Sequence, residues 1–202
     1  IGGYTPVEKV YSFEPVPSEL DEEQAKLVIG AQCNLWTEYI KTFSHVQYME
    51  LPRLAALCEV QWTEPEHKDY ESFKERIPAM FAIYDKYGYN YAKHLCDVNA
   101  TYTPNTEKKA LEVTFSTLKN REIRYPTDGN EPDENSTLYS GPFTIDSDVI
   151  IKAASFSNGV KSRTICDTIN TNIASFTKAT FNTVPAIGYA FNGAQTLVDG
   201  IM

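Results

Sequence analysis

The chain has 202 residues, 42% hydrophobic and 22% charged, with a formal net charge of −9 and a pI of about 4.9. This is ordinary globular composition, long enough for one or two domains. The acidic balance argues against nucleic acid as a partner, because phosphate contacts need clustered Lys and Arg, and no apolar run reaches membrane-spanning length.

Residues 1–26 read as an extended loop containing Pro6, Pro15 and Pro17, followed by an acidic helix start. Ser18 is the expected N-cap, with Asp21, Glu22 and Glu23 near the positive end of the helix dipole. Leu27–Ala31 (LVIGA) is a continuous apolar run, too short for a helix and without the alternation of a half-exposed strand. It predicts a parallel strand buried on both faces. Residues 43–62 show helical periodicity through Val46, Met49 or Glu50, Arg53, Leu54, Leu57 and Val60. Pro52 either bends this helix or marks the start of its regular part. A local Glu50–Arg53 ion pair is expected on it. A second helix is predicted from about Tyr70 to Tyr87, with Phe73, Ile77, Met80, Phe81 and Tyr84 on one face, Pro78 inside and Gly88 as the stop.

The texture then changes. Residues 98–109 read as a linker, and from Ala110 come the strand-like runs LEVTFS, REIRY, VIIKAASF and VKSRTICDTI, separated by turn residues. Asn158-Gly159 between two such runs is a strong hairpin signal. These runs predict a small β-sandwich of immunoglobulin-like form. From Phe176 the pattern KATFNTV begins another β element. The four cysteines, Cys33, Cys58, Cys96 and Cys166, lack zinc-ligand spacing and read as free thiols.

A parallel barrel places its active site at the C-terminal ends of its strands, so Trp36 and Glu38, just after Leu27–Ala31, would lie beside a pocket. An indole face suits the apolar face of a sugar ring, and a carboxylate accepts strong hydrogen bonds from hydroxyls. From chemistry alone, a core tryptophan and an ion-paired glutamate form the weightier reading. The longer string changes that balance. AQCNLWTEYI, followed by a helix with Pro52-Arg53, a late Glu59 and LPRLAALCEVQW, closely resembles the last barrel strand and helix of glycoside hydrolase family 20, the β-N-acetylhexosaminidases. KVYSFEPVP is similar to the lead-in of bacterial members. The resemblance covers about residues 1–97 and is specific over 27–62. It implies that Trp36 walls the pocket for a terminal N-acetylhexosamine and that Glu38 holds its outer hydroxyls.

The same resemblance implies retaining, substrate-assisted catalysis by an Asp-Glu pair on an earlier strand, an exception to the two-carboxylate scheme. Two Asp-Glu pairs occur here, Asp21-Glu22 and Asp133-Glu134. The first precedes the predicted strand and the second lies in a polar turn, so both read as solvated surface charge. No catalytic residue, cofactor or metal ligand is assigned. His45, His67 and His94 are scattered and read as surface or helix-terminal.

IRYPTDGNEPDENSTLYSGPFTI and the later IKAASFSNG resemble the fibronectin-like chitobiase C-terminal domain over about residues 107–170, with Pro126 where Thr is common. GYAFNGAQTLVDGIM is similar, weakly, to the opening of a discoidin-like domain. The expected fold class is therefore multidomain α+β. Residues 1–97 form the C-terminal end of a (β/α)8 barrel, mainly helical here, 98–175 an all-β immunoglobulin/fibronectin-like sandwich, and 176–202 a linker or truncated discoidin-like start. The expected function is that of an inactive fragment of a β-N-acetylhexosaminidase, periplasmic or extracellular, acting on glycans with terminal N-acetylhexosamine. The alternative is a non-catalytic carbohydrate-binding or adhesion module. Without its barrel neighbours Leu27–Ala31 must be rebuilt, paired between copies or left non-strand, and the exposed apolar surface favours a homodimer.

Overall fold

A computed structural model gives the fold and describes residues 5–186 and 193–201. The chain divides into two compact units, Ile1–Ala92 and Lys93–Met202.

The first unit is helical. Its α-helices are α1 (Val7–Tyr11), α2 (Glu22–Ala25), α3 (Phe43–Glu50), α4 (Arg53–Trp62) and α5 (Tyr70–Tyr87), with a 3-10 turn at Pro65–His67. The N-cap of α2 is Asp21 rather than the expected Ser18. Asp21 accepts from the Gln24 amide while the Gln24 side chain accepts from the Asp21 amide, a reciprocal box that Ser18, three residues before an aspartate, does not offer. Pro52 divides the expected 43–62 helix, since it supplies no amide proton and its ring displaces the preceding turn. With the helix interrupted there, Arg53 turns away from the expected ion pair with Glu50. Its Nη1 donates to the Met49 carbonyl at 2.9 Å and its Nε to the Thr5 carbonyl at 2.7 Å. The guanidinium thus serves a carbonyl at the end of α3 and ties it to the segment before α1.

α5 follows its predicted limits. Phe73, Ile77, Phe81 and Tyr84 are buried, whereas Met80, expected on that face, is 37% exposed. Gly88 ends the helix at φ 68°, the left-handed conformation that favours glycine. The core of this unit joins Val7 and Tyr11 of α1, Ala56, Leu57 and Val60 of α4, and the buried face of α5. Helix α3 buries no residue, so Val46 and Met49 do not form the expected inner stripe.

Leu27–Ala31 is not a strand; Leu27 is 78% exposed and Ile29 fully exposed. A strand satisfies its backbone only through neighbours, and no strand occurs among the described residues of this unit. Within the single chain the run is left non-strand.

The second unit is built from antiparallel strands: β1 (Asn99–Asn105), β2 (Ala110–Ser116), β3 (Glu122–Arg124), β4 (Phe143–Ile145), β5 (Val149–Ser157), β6 (Val160–Lys161) and β7 (Ile165–Ile169). One sheet runs β1-β2-β4; the other runs β3-β5-β6, with β7 also paired to β5. The expected linker contains a strand, β1, pairing Asn99 with Ser116 through Asn105 with Ala110. Its polar sequence and Pro104 hide it, and its place at the sheet edge tolerates the proline. Asn158-Gly159 forms the expected hairpin, at φ 50° and 74°, joining Ser157 to Val160.

Side chains from both sheets meet in one core around Leu111, Val113, Phe115, Ile123, Ile151 and Ile169, closed by Phe176. The Tyr102 hydroxyl of β1 donates to Asp167 of β7 at 2.5 Å, tying one sheet to the other. The KATFNTV run is not a strand. Instead the chain returns beside β7, where Asn170 donates to the Gly200 carbonyl and Phe176 to the Val198 carbonyl. A Cβ on Gly200 would lie 3.0 Å from the Asn170 carbonyl oxygen, at a φ of +75°, so glycine is required there. The discoidin-like resemblance falls partly on residues 187–192 and 202, outside the described residues.

Candidate functional site

The loop between α2 and α3 carries both sequence-predicted site residues. Trp36 is 76% exposed, and Glu38 is exposed in a turn where the Ile40 amide donates to the Thr37 carbonyl at 3.0 Å. Glu38 makes no hydrogen bond or ion pair among the described residues. The weightier reading from chemistry alone, a packed indole with an ion-paired glutamate, therefore does not describe this chain. An exposed indole face and a carboxylate without a partner have the chemistry to stack on a sugar and accept its hydroxyls. Neither lines the groove between α4 and α5.

The loop is held at both ends. The Gln61 side chain of α4 donates to the Ala31 carbonyl at 2.7 Å. On the far side, Thr42 caps α3 by accepting from the His45 amide, and the Asn90 side chain donates to the carbonyl and hydroxyl of Ser44 at 2.9 and 3.0 Å.

The same unit holds a charged knot whose geometry helical periodicity could not give. Arg76 of α5 clasps Glu59 of α4 with two bonds of 2.7 Å. The Tyr11 hydroxyl donates to the same carboxylate at 2.9 Å and accepts from the Asp69 amide at 3.0 Å. The Arg76 hydrogen bonds hold the Glu59 carboxyl below its usual range, against the opposing pull of desolvation. Burial pushes the Tyr11 hydroxyl up, so it stays a neutral donor. Together these contacts fix α1, α4 and the start of α5 to one another. Glu59 was visible as the late glutamate of the motif, but its partner 17 residues later was not.

In both Asp-Glu pairs the aspartate has a structural role and the glutamate is exposed. Asp21 caps α2, and Asp133 accepts from the Asn135 and Ser136 amides and the Ser136 hydroxyl, which lowers its pKa. His67 stands in a 3-10 turn where it, Glu64 and Glu66 bring ligand atoms within 4.8 Å of one another, all three exposed. His94 belongs to the 3-10 turn His94–Cys96 of the second unit. All four cysteines are free, with Cys96 alone buried.

Known proteins supply the remaining context. Residues 1–65 match the description "Glycosyl hydrolase family 20, catalytic domain". Residues 102–166 match "Chitobiase/beta-hexosaminidase C-terminal domain". A beta-hexosaminidase of Porphyromonas gingivalis is 34% identical over 164 residues, covering 80% of this chain and 21% of the relative. A beta-N-acetylhexosaminidase of Cellulomonas fimi is 32% identical over 92 residues, 44% of this chain and 18% of the relative. A beta-hexosaminidase of Vibrio furnissii is 38% identical over 57 residues, 28% of this chain and 9% of the relative. The chain thus spans about a fifth or less of each of these relatives.

Proposed function

The chain carries part of a glycosyl hydrolase family 20 catalytic domain followed by a chitobiase/beta-hexosaminidase C-terminal domain, and from that premise we propose that it contributes sugar-gripping residues to an exo-acting β-N-acetylhexosaminidase. Trp36 stacks on the terminal N-acetylhexosamine and Glu38 accepts from its outer hydroxyls. Substrate-assisted retaining cleavage draws its general acid from elsewhere in the catalytic domain, because Asp21 and Asp133, the aspartates of this chain's two Asp-Glu pairs, are held in a helix cap and a turn outside the Trp36–Glu38 loop. The 202-residue chain alone is therefore catalytically inactive. The match of residues 1–65 to the catalytic domain is the observation that carries this reading. We further propose an exported enzyme, periplasmic or extracellular, whose second unit is a fibronectin-like module.

A chromogenic N-acetylglucosaminide tests the reading directly. The chain alone gives no turnover above buffer, and any turnover by it would overturn the claim of inactivity. A second reading, a carbohydrate-binding or adhesion module, draws on one observation: the second unit has its own core and pairs its own strands.

A further inference from the structure

The second unit carries a groove of about 540 Å³, within the range of small-ligand sites. It is lined by Asn120, Glu122, Arg124, Glu134, Phe156 and Asn158, with Gly159 at its edge. The fold makes its walls rigid. Arg121 donates to the Ser155 hydroxyl at 2.6 Å, the Ser155 carbonyl at 3.1 Å and the Val160 carbonyl at 2.8 Å, locking the β5–β6 hairpin against β3. Arg124 donates to Glu122 at 3.0 Å and to the Ser136 carbonyl at 3.1 Å, fixing the opposite wall.

The groups left over are informative. Asn120, Glu134 and the Asn158 side chain make no hydrogen bond or ion pair among the described residues. Each amide offers two donors and an acceptor oxygen, and the carboxylate offers strong acceptors. Mixed donors and acceptors along one groove suit hydroxyl and acetamido groups. Two carboxylates against one guanidinium disfavour a phosphate or carboxylate ligand. Above Gly159 a Cβ would meet nothing within 4 Å, so a ligand has room to approach the backbone.

We propose that this groove is a second, non-catalytic contact for an uncharged oligosaccharide of β-linked N-acetylhexosamine. The choice of sugar rests on the catalytic reading above; the class, a neutral hydroxyl-rich chain, rests on the groove. Two contacts on one glycan raise its effective concentration at the first.

The test is a titration of the isotopically labelled full chain with triacetylchitotriose, followed by amide NMR. Saturable shifts are expected at the Asn120 and Asn158 side-chain amides and at Gly159. They persist in Trp36→Ala, and the groove affinity falls about tenfold or more in Asn120→Ala/Asn158→Gly, from two lost neutral hydrogen bonds. Glycine at 158 keeps the left-handed turn, and unshifted core amides verify the fold. Glu134→Gln, which keeps the shape but removes the charge, weakens binding severalfold. A groove that stays silent while Trp36 responds overturns this inference and spares the catalytic reading. A responding groove with a silent Trp36 upholds this inference, and the catalytic reading stands or falls separately, on the kcat/KM of Glu38→Gln in a completed family 20 domain.

Discussion

Replacing Glu59 by glutamine tests whether the charged knot holds the first unit together. The substitution keeps the shape but removes the charge that receives two 2.7 Å bonds from Arg76 and one of 2.9 Å from Tyr11. Hydrogen bonds to charged groups contribute about 1.5–3 kcal/mol where water is excluded. The Arg76 side chain is 57% exposed and that of Glu59 18%, so solvent screening reduces the loss to about 1–2 kcal/mol. For a unit of this size that is a fall in Tm of roughly 5–15 °C. Every α-helix among the described residues lies in the first unit, so helical circular dichroism at 222 nm reports that unit. The pH dependence has a definite sign. Because Glu59 titrates below its usual range of about 4.5 when folded, its contribution is fully present above that value and is lost as pH falls through the lower folded pKa. Wild-type Tm therefore drops more steeply than that of Glu59→Gln on acidification below about pH 4.5, and the two curves converge. Equal Tm at pH 7, or parallel curves in acid, would refute the reasoning.

In the second unit, Leu111→Ala removes a fully buried side chain and costs about 3–5 kcal/mol, read from urea unfolding of the β signal; a loss under 1 kcal/mol would mean the core is not shared between the sheets. Tyr102→Phe removes the bond to Asp167 and lowers stability by about 1 kcal/mol, whereas an unchanged urea midpoint would show that bond to be absent in solution. The exposed side chains of Leu27, Ile29, Trp36, Tyr39, Phe43 and Trp62 predict concentration-dependent self-association in light scattering, reduced by Leu27→Ser/Ile29→Ser; a monomer at all concentrations would contradict it.

What could be read from the residues follows the range of the interactions involved. Helix α5 was legible to its ends because most of its buried face and the stop at Gly88 are local. The Asn158-Gly159 hairpin was legible for the same reason. Strand β1 was not, because NATYTPN has weak strand propensity and exists as a strand through its pairing with β2. The run Leu27–Ala31 marks the opposite case: its composition is that of a buried strand, but the described residues of its unit offer no partner strand. Trp36 and Glu38 were singled out by the motif alone, while the Glu59–Arg76–Tyr11 knot needed three dimensions.

The most direct measurement is the kcat/KM of Glu38→Gln in a polypeptide that completes the family 20 domain around residues 1–65. Losing a charge-assisted grip on the substrate hydroxyls lowers kcat/KM on a chromogenic N-acetylglucosaminide by about 10- to 100-fold. Wild-type kcat/KM in that variant would contradict the assignment of this loop to the sugar pocket.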